Sequence, residues 1–371
     1  MISSKTTLKA LAAAASLALA ASATAGTISG TNGDLTWTAR NNIVGATSTG
    51  GSGAAAGDSR YFATDSKYSG VATLIMEYSD GGASICTGSL LLDTRSILTA
   101  AHCVTPDAGT TLVKTTAYFY NGGNPQALVY ADSSSAARAI ETVTINPGYT
   151  AEVIDQNDIA VLRMAESAPT WAKAYQLSSL TDLQGQTYNI AGYGGRSTAG
   201  GNVGTNSGVG RLRQGNNMYD WKMGDANFNG FWDGFFGTAQ TSEVWIADFD
   251  NGLAQQSQSC RLAFALMDPG VNLTPYCNQG VTNEVSSAGG DSGGPQFVNG
   301  MIASVTSFGL SFGTSWGDIR SGLQSSFGEM NGFVPVYAHL GFIANAVPEP
   351  GTFGLMALAG LGLLASRRRR A

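Results

Sequence analysis

The 371 residues suffice for one large domain or two moderate ones with a sizeable core. The 49 glycines against 12% charged residues favour many short strands joined by turns and argue against a helical bundle. The chain has 20 basic and 26 acidic residues, and several of the basic ones lie at its two ends, so the acidic middle argues against nucleic-acid binding.

The N-terminus has the three-part pattern of a secretory signal peptide. Lys5 and Lys9 accompany an apolar, Ala-rich run from Leu8 to Ala21, and Ala23-Thr24-Ala25 is a small-x-small cleavage pattern. A buried N-terminal helix would account for the lysines and alanines but not for the small residues at the exit. We therefore expect residues 1–25 to be a signal peptide.

Residues 26–59 are predicted to be a leader or pro-segment, because residues 26–57 are mostly small and polar and are typical of a loop. From about Tyr61 onward the sequence consists of short apolar runs bounded by turn residues. The runs predicted as strands are Val71–Met76, Gly88–Leu92, Ile97–Thr99, Thr116–Tyr120, Ile159–Leu162, Tyr188–Ala191, Glu243–Ile246, Gln296–Val298, Met301–Ser307 and Val334–Tyr337.

The chain has only two histidines, so few side chains can serve as a base. His102 follows a predicted strand through Ala100-Ala101, and these small residues let a histidine project from a tight turn. A satisfied core histidine is the structural alternative. Asp158 precedes the apolar run Ile159–Leu162, where a carboxylate either orients an imidazole or simply begins a turn.

Residues 194–237 combine glycine and asparagine with large aromatic side chains. We interpret this stretch as an elaborated surface loop rather than a cofactor site. Its aromatic residues include Phe228, Phe231, Trp232, Phe235 and Phe236.

The stretch Gly289–Pro295 places Ser292 among residues with special backbone freedom. A serine hydroxyl needs a neighbouring base to become a nucleophile. Gly290 and Ser292 can direct two backbone N–H groups at one point, as an oxyanion hole requires. The stretch is therefore a candidate nucleophile loop.

The C-terminal residues 347–371 form a second processing pattern. Val347-Pro348-Glu349-Pro350 is followed by an apolar run from Phe353 to Ala365 and by Arg367–Arg370. The order resembles the PEP-CTERM sorting signal of Gram-negative bacteria, which an exosortase recognises. A simple membrane tail is the alternative, and both imply export to the cell envelope, the cell surface or the medium, with membrane contact before processing.

Three motifs in one order resemble the trypsin-like, chymotrypsin-fold serine protease family. The similarity extends to shorter motifs and covers roughly residues 60–345, so residues 60–346 are predicted to be the protease domain. The three are Thr99–Cys103, Asp158–Leu162 and Gly290–Pro295, and the shorter ones are Cys86–Leu91, Gly192–Gly194, Ser307–Gly309 and Val336-Tyr337.

The resemblance implies an all-β fold of two antiparallel six-stranded β-barrels with a short C-terminal helix. It implies His102 as general base, Asp158 as its orienter and Ser292 as nucleophile. Gly290 and Ser292 would donate the oxyanion-hole N–H groups. Four cysteines in an exported chain predict two disulfides, and the resemblance pairs Cys86 with Cys103 and Cys260 with Cys277.

The resemblance also places a specificity pocket. Ser286 would lie at its floor, where a hydroxyl offers no charge to a basic side chain, so an uncharged or apolar residue is expected before the cleaved bond. Ser307, Phe308 and Gly309 would form the wall that pairs with the substrate backbone. Pro335 falls near a position where relatives have a glycine that lines the pocket.

Activation in this family pairs a new N-terminal amine with the aspartate before the nucleophile, here Asp291. Ile43-Val44-Gly45 resembles such a terminus but lies farther from Cys86 than is usual in the family. The usual spacing points to Arg60-Tyr61, which lacks the customary Ile or Val. The sequence leaves both possibilities open.

Two other functions fit parts of the sequence. Gly290–Gly294 also matches the nucleophile elbow of an α/β-hydrolase esterase, for which His339 would be the base, although Gly293-Gly294-Pro295 is a poor helix start. A protease-fold protein that binds a surface polymer is the non-enzymatic alternative. For the protease we expect protein or peptide substrates, exosortase-type sorting machinery as a partner, and no metal or organic cofactor.

Overall fold

The computed structural model describes residues 27–32, 35–40, 58–278 and 280–347. The predicted signal peptide, Ile43 and residues from 348 onward lie outside these ranges. Within them the chain is mostly β, with short helices α1 (Gln258–Leu266) and α2 (Leu340–Ala346). None of the helices in this part of the chain is long and apolar enough to cross a membrane. The predicted fold class and the C-terminal helix are confirmed.

Two strands precede the two main sheets and pair with each other in what is called the leader hairpin below: β1 (Thr27–Asn32) and β2 (Leu35–Arg40). They correct the expectation that residues 26–57 are loop throughout. Leu35, Trp37 and Ala39 alternate with more exposed residues along β2, so that this strand has one buried face.

The first sheet is a closed antiparallel barrel in the order β3-β4-β5-β8-β7-β6. Apolar side chains such as Leu74, Ile97 and Leu162 fill its interior. β7 was not predicted, because its polar residues remain largely exposed. The strands are β3 (Val71–Tyr78), β4 (Ala83–Leu90), β5 (Ser96–Thr99), β6 (Leu112–Phe119), β7 (Ala136–Ile145) and β8 (Ala160–Met164).

The second sheet follows the path β10-β9-β13-β14-β15-β12-β11. The two strands at the ends of this path, β10 and β11, are separated along the chain only by Tyr219 and Asp220. The path therefore begins and ends on the two halves of one bent segment. The strands are β9 (Thr187–Gly192), β10 (Arg213–Met218), β11 (Trp221–Lys222), β12 (Trp245–Asp248), β13 (Pro295–Val298), β14 (Met301–Ser311) and β15 (Met330–Pro335).

The aromatic residues within 194–237 lie on an irregular, loop-like segment whose rings pack into the core. Trp232 and Phe228 are almost completely buried, and Trp232 stacks on Trp221 at 5.3 Å between ring centroids. Phe235 and Phe236 contact Trp37 of the leader hairpin. The predicted loop is therefore buried rather than on the surface, because aromatic rings without a helical or strand period can still bury large areas through tertiary contacts.

Candidate active site

His102 and Asp158 lie together at one end of the closed barrel. β5 pairs with β8 through Thr99 and Ala160, so the residues just beyond these strand ends are neighbours. The backbone N–H of His102 donates to Asp158 Oδ1 at 2.8 Å, and its Nδ1 lies 2.7 Å from Asp158 Oδ2. A carboxylate only accepts hydrogen bonds, so Nδ1 carries the proton and Nε2 is left as the base.

Asp158 is fully buried and receives a third hydrogen bond from the second sheet. Ser307 Oγ donates to Asp158 Oδ2 at 2.6 Å, and Ser307 lies in the middle of β14. The carboxylate therefore joins the two sheets at the place where they meet. Three donors on one carboxylate fix its position and, through it, the orientation of the imidazole.

Ser292 is held against the segment that carries His102. Its carbonyl oxygen accepts from the backbone N–H of Thr87 at 2.9 Å. Gly293 has a φ of +76°, and a Cβ there would lie 2.0 Å from Thr99 Oγ1. Glycine is thus required both by conformation and by the close approach of the two loops, which brings the nucleophile loop and the histidine loop together.

The conformation of Gly290 suits an oxyanion hole. Its φ is +110°, and its carbonyl oxygen accepts from Thr87 Oγ1 at 2.7 Å. With the carbonyl directed to Thr87, the N–H of Gly290 meets no acceptor in the described part of the chain. A preorganised N–H of this kind is what stabilises a developing oxyanion.

Two disulfides brace the site and its surroundings. Cys86 is bonded to Cys103, the residue after His102, and the sulfur of Cys103 lies 3.6 Å from the carbonyl oxygen of Ser292. Cys260 of α1 is bonded to Cys277. The first disulfide therefore fastens the histidine turn to β4, beside the nucleophile loop.

Ser286, the predicted floor of the specificity pocket, is bonded to a residue that no sequence motif marks. Asn331 Oδ1 accepts from Ser286 Oγ at 2.9 Å, from Ser287 Oγ at 2.6 Å and from the N–H of Ser287 at 3.0 Å. Pro335 pairs with Ser304 at the end of β15. No motif marks Asn331, because its position follows only from the register of β15 against β14.

The three residues of the predicted pocket wall have different surroundings. Ser307 holds Asp158, whereas the side chain of Phe308 is fully buried against Gly332. Gly309 is paired on its other edge with Arg40 of β2. A ligand at this wall would therefore meet backbone groups rather than side chains. The backbone of Gly309 is already paired with the leader hairpin.

Asp291 is buried beside the nucleophile. Its two carboxylate oxygens accept from the N–H groups of Gly194 at 2.8 Å and Ala288 at 3.0 Å. Burial raises the pKa of Asp291 to about 7, and no cation pairs with it among the described residues. Of the two candidate activation termini, Ile43 lies outside the described residues and Tyr61 belongs to the 3₁₀ turn Ser59–Tyr61.

His339, the alternative base, is committed to other partners. Its Nδ1 lies 3.0 Å from Asn146 Nδ2, and its Nε2 lies 2.7 Å from the carbonyl oxygen of Gln156. Burial lowers its pKa from the usual value. With both ring nitrogens engaged by an amide and a carbonyl, His339 is a structural histidine.

The candidate catalytic residues Ser292 and His102 are only slightly exposed. Ser292 is 3% exposed, and the side chain of His102 is 10% exposed. A cavity of about 80 Å³ lies elsewhere, between Tyr68 and Tyr120, and none of the three candidate catalytic residues lines it.

Four carboxylates, three of them buried and Glu284 half-buried, cluster near Asn331. Asp248 follows Ala247, the strand partner of Asn331, and it lies close to Asp220, Asp250 and Glu284. Burial and mutual repulsion raise the pKa of Asp220 to about 6 and that of Glu284 to about 8. No lysine or arginine within the described residues pairs with any of the four.

The free energy of unfolding is expected to fall between about pH 4 and pH 8. Asp220 and Glu284 have higher pKa values when folded than the unfolded values of about 3.9 and 4.3, so the folded state binds more protons. Their contribution is complete below about pH 4 and is lost as the pH rises through 6 and then 8, at about 1.4 kcal/mol per pKa unit.

Urea unfolding at a series of pH values measures this effect. Glu284→Gln should flatten the profile at its alkaline end. A wild-type free energy of unfolding that rises across this window would contradict the assignment of raised pKa values.

Comparison with known sequences finds one family and one sorting motif. The Trypsin family profile matches residues 48–218, and the PEP-CTERM protein-sorting motif matches residues 346–370. Trypsin, alkaline B, of Manduca sexta is 24% identical over 229 residues, which cover 60% of this chain and 68% of that protein. Trypsin CFT-1 of Choristoneura fumiferana is 25% identical over 225 residues, covering 60% and 69%.

Two solved structures have a fold similar to that of this chain. Neuropsin, a serine protease expressed in the limbic system of mouse brain, is 17% identical with a TM-score of 0.47, covering 76% of this chain and 95% of that one. HL collagenase is 18% identical with a TM-score of 0.45, covering 75% and 93%.

Proposed function

We propose that Ser292, His102 and Asp158 form the catalytic triad of this chain, which belongs to the trypsin-like serine proteases and carries a PEP-CTERM protein-sorting motif. The chain is a serine endopeptidase by family. The observation that carries the assignment of residues is the contact of His102 Nδ1 with the buried Asp158, which leaves Nε2 as a base beside the loop of Ser292.

Each step of hydrolysis is assigned to one group. His102 Nε2 takes the proton of Ser292 Oγ, and the oxygen attacks the peptide carbonyl. The N–H groups of Gly290 and Ser292 stabilise the oxyanion, and His102 then donates its proton to the leaving amine. Water, activated by the same imidazole, hydrolyses the acyl-enzyme, so no metal or organic cofactor takes part.

The pocket floor favours an uncharged side chain before the cleaved bond. Ser286 and Ser287 supply hydroxyls, and both are already bonded to Asn331. Neither hydroxyl carries a charge, so a lysine or arginine side chain placed against them would bury a charge without a partner. Because the side chain of Asn331 fills space beside Ser286, small and medium uncharged residues suit this floor best.

Export follows from the sorting motif. The PEP-CTERM motif indicates export to the cell envelope or surface of a Gram-negative bacterium, and the two disulfides fit an extracytoplasmic protein. We add that residues 1–25 are a signal peptide, that residues 347–371 contact the membrane before an exosortase processes them, and that residues 60–346 are the protease domain.

Activation is proposed to involve Asp291. A buried carboxylate bonded only to two N–H groups would be stabilised by an amine, because an opposite charge favours the ionised form. N-terminal sequencing of the active protein would identify whether the new terminus is Ile43 or lies near Tyr61.

Labelling and turnover together test the proposed function. A fluorophosphonate should modify Ser292, and a library of peptides should be cleaved mainly after uncharged residues. Ser292→Ala should abolish both signals. Labelling at another serine would overturn the triad, and preferred cleavage after lysine or arginine would overturn the assignment of the pocket.

The two alternative functions receive less support. The esterase needs His339 as its base, and both nitrogens of that ring are engaged elsewhere. No described feature favours a role confined to surface binding, since the histidine and the aspartate of the triad lie at bonding distance.

A further inference from the structure

We propose that the leader hairpin, residues 27–40, is an intramolecular inhibitor that occupies the strand edge where an extended peptide must lie to reach Ser292. The proposal rests on the proposed function. Its starting observation is the antiparallel pairing of β2 with β14, in the register Arg40 with Gly309, Ala39 with Leu310 and Thr38 with Ser311.

The paired edge of β14 leads directly to the catalytic groups. Towards the N-terminal end of β14, the edge that pairs with β2 is instead paired with β13, and this pairing ends at Val305. Ser307, two residues on, donates to Asp158. A peptide laid antiparallel on the edge from Ser311 to Gly309 therefore continues towards Ser307 and the triad.

An extended peptide binds such an edge through main-chain hydrogen bonds, which are available to one strand at a time. β2 uses this edge with the polarity that a substrate would adopt, because it runs antiparallel to β14. The hairpin and the part of a substrate N-terminal to the cleaved bond are therefore mutually exclusive occupants of the Gly309–Ser311 edge.

The buried face of the hairpin is anchored by aromatic side chains. Trp37 is 6% exposed, and its ring lies 4.8 Å from that of Phe236, edge to face. The ring also covers Gly30, the strand partner of Trp37 in β1. Leu35 and Ala39 pack in the same core cluster as Phe308 and Leu310 of β14.

This anchoring gives the aromatic stretch of residues 225–237 a role that the catalytic mechanism does not supply. The rings of Phe235 and Phe236 contact the ring of Trp37 and form an aromatic platform for it. This platform lies beside the edge of β14 and not at the triad. The platform positions the leader on the substrate edge. Because the leader belongs to the same chain, it competes at the effective concentration of a tethered ligand, of the order of millimolar.

A pair of variants on β2 tests the proposal in the full exported chain. Trp37→Ala removes the buried anchor, and Thr36→Ala, on the exposed face of the same strand, is the matched control. We expect Trp37→Ala to raise kcat/KM about tenfold or more for a substrate with four residues before the cleaved bond, mainly through a lower KM. An ester substrate with a single residue should be unaffected, and Thr36→Ala should resemble the wild type with both substrates.

A synthetic peptide of residues 27–40 provides a second measurement that does not depend on the folding of a variant. Added to the Trp37→Ala protein, it should inhibit cleavage of the four-residue substrate competitively, whereas the same peptide with alanine in place of Trp37 should not. Unchanged kinetics of Trp37→Ala with the long substrate, or equal changes with both substrates, would overturn the proposal and make the hairpin a permanent structural strand.

Fluorophosphonate labelling separates this inference from the function on which it rests. Labelling of Ser292 in the wild type and both variants establishes the triad independently of the strand edge. Absence of labelling in all three proteins would refute the proposed function, whereas labelling without any effect of Trp37→Ala would refute only the inhibitory leader.

Discussion

Replacement of His102 by alanine is expected to lower kcat about 10⁵- to 10⁶-fold, because loss of the base leaves Ser292 unactivated and the leaving amine unprotonated. Asp158→Asn should cost about 10⁴-fold, since an amide in place of the carboxylate at 2.7 Å from Nδ1 would favour the wrong tautomer. The residual rate in both variants would come from the oxyanion hole and substrate binding. Steady-state kinetics with a peptide substrate measures both effects.

The matched control is His339→Ala. This histidine is buried between Asn146 and the carbonyl oxygen of Gln156, so its loss should lower stability while leaving kcat within a few-fold of the wild type. If activity depended on His339 and survived the loss of His102, the triad and the protease assignment would both be wrong.

Gly293→Ala is expected to have the largest effect on stability. An alanine at φ +76° costs about 1–2 kcal/mol, and the added Cβ would meet the backbone N of Ala100 at 2.6 Å, which adds about 1–3 kcal/mol for crowding. Relief of this contact must separate the loop of Ser292 from that of His102. We therefore expect both the free energy of unfolding and kcat to fall, as measured by urea unfolding and peptide turnover.

Gly300→Ala is the control that measures only the cost of a positive φ, without the steric contact that an alanine at Gly293 would make. Gly300, in the turn between β13 and β14, has a nearly identical φ of +78°, but nothing lies within 4 Å of a Cβ built there. It should lose only about 1–2 kcal/mol and keep its activity. Equal losses in the two variants would mean that the contact between the two catalytic loops is unimportant.

Local motifs were sufficient to identify the candidate catalytic residues. The turn chemistry of Gly290–Gly294 and the small residues before His102 are properties of contiguous sequence, and the order of the motifs specified the family. The strand runs were also recognisable, because a short apolar run bounded by turn residues is a local signal. Strands with exposed polar faces, such as β7, lacked that signal.

The residues that shape access to the site were not predictable in this way. Asn331 reaches Ser286 only because β15 pairs with β14 in one register, and a shift by a single residue would turn its side chain to the other face of the sheet. The leader, small and polar in composition, became a strand only because β14 offered it an unpaired edge and an aromatic platform.

The sequence by itself determined the candidate chemistry, namely a serine, a histidine and an aspartate in the order of the protease motifs, together with a sorting motif. Those features depend on residue type and short-range spacing, which the sequence states directly. The tertiary structure decided how these candidate groups are held and covered: Ser307 bonds to Asp158, Asn331 bonds to Ser286, and β2 pairs with β14. Each of these contacts joins residues far apart in the chain, and their geometry exists only once the sheets have paired and their cores have packed.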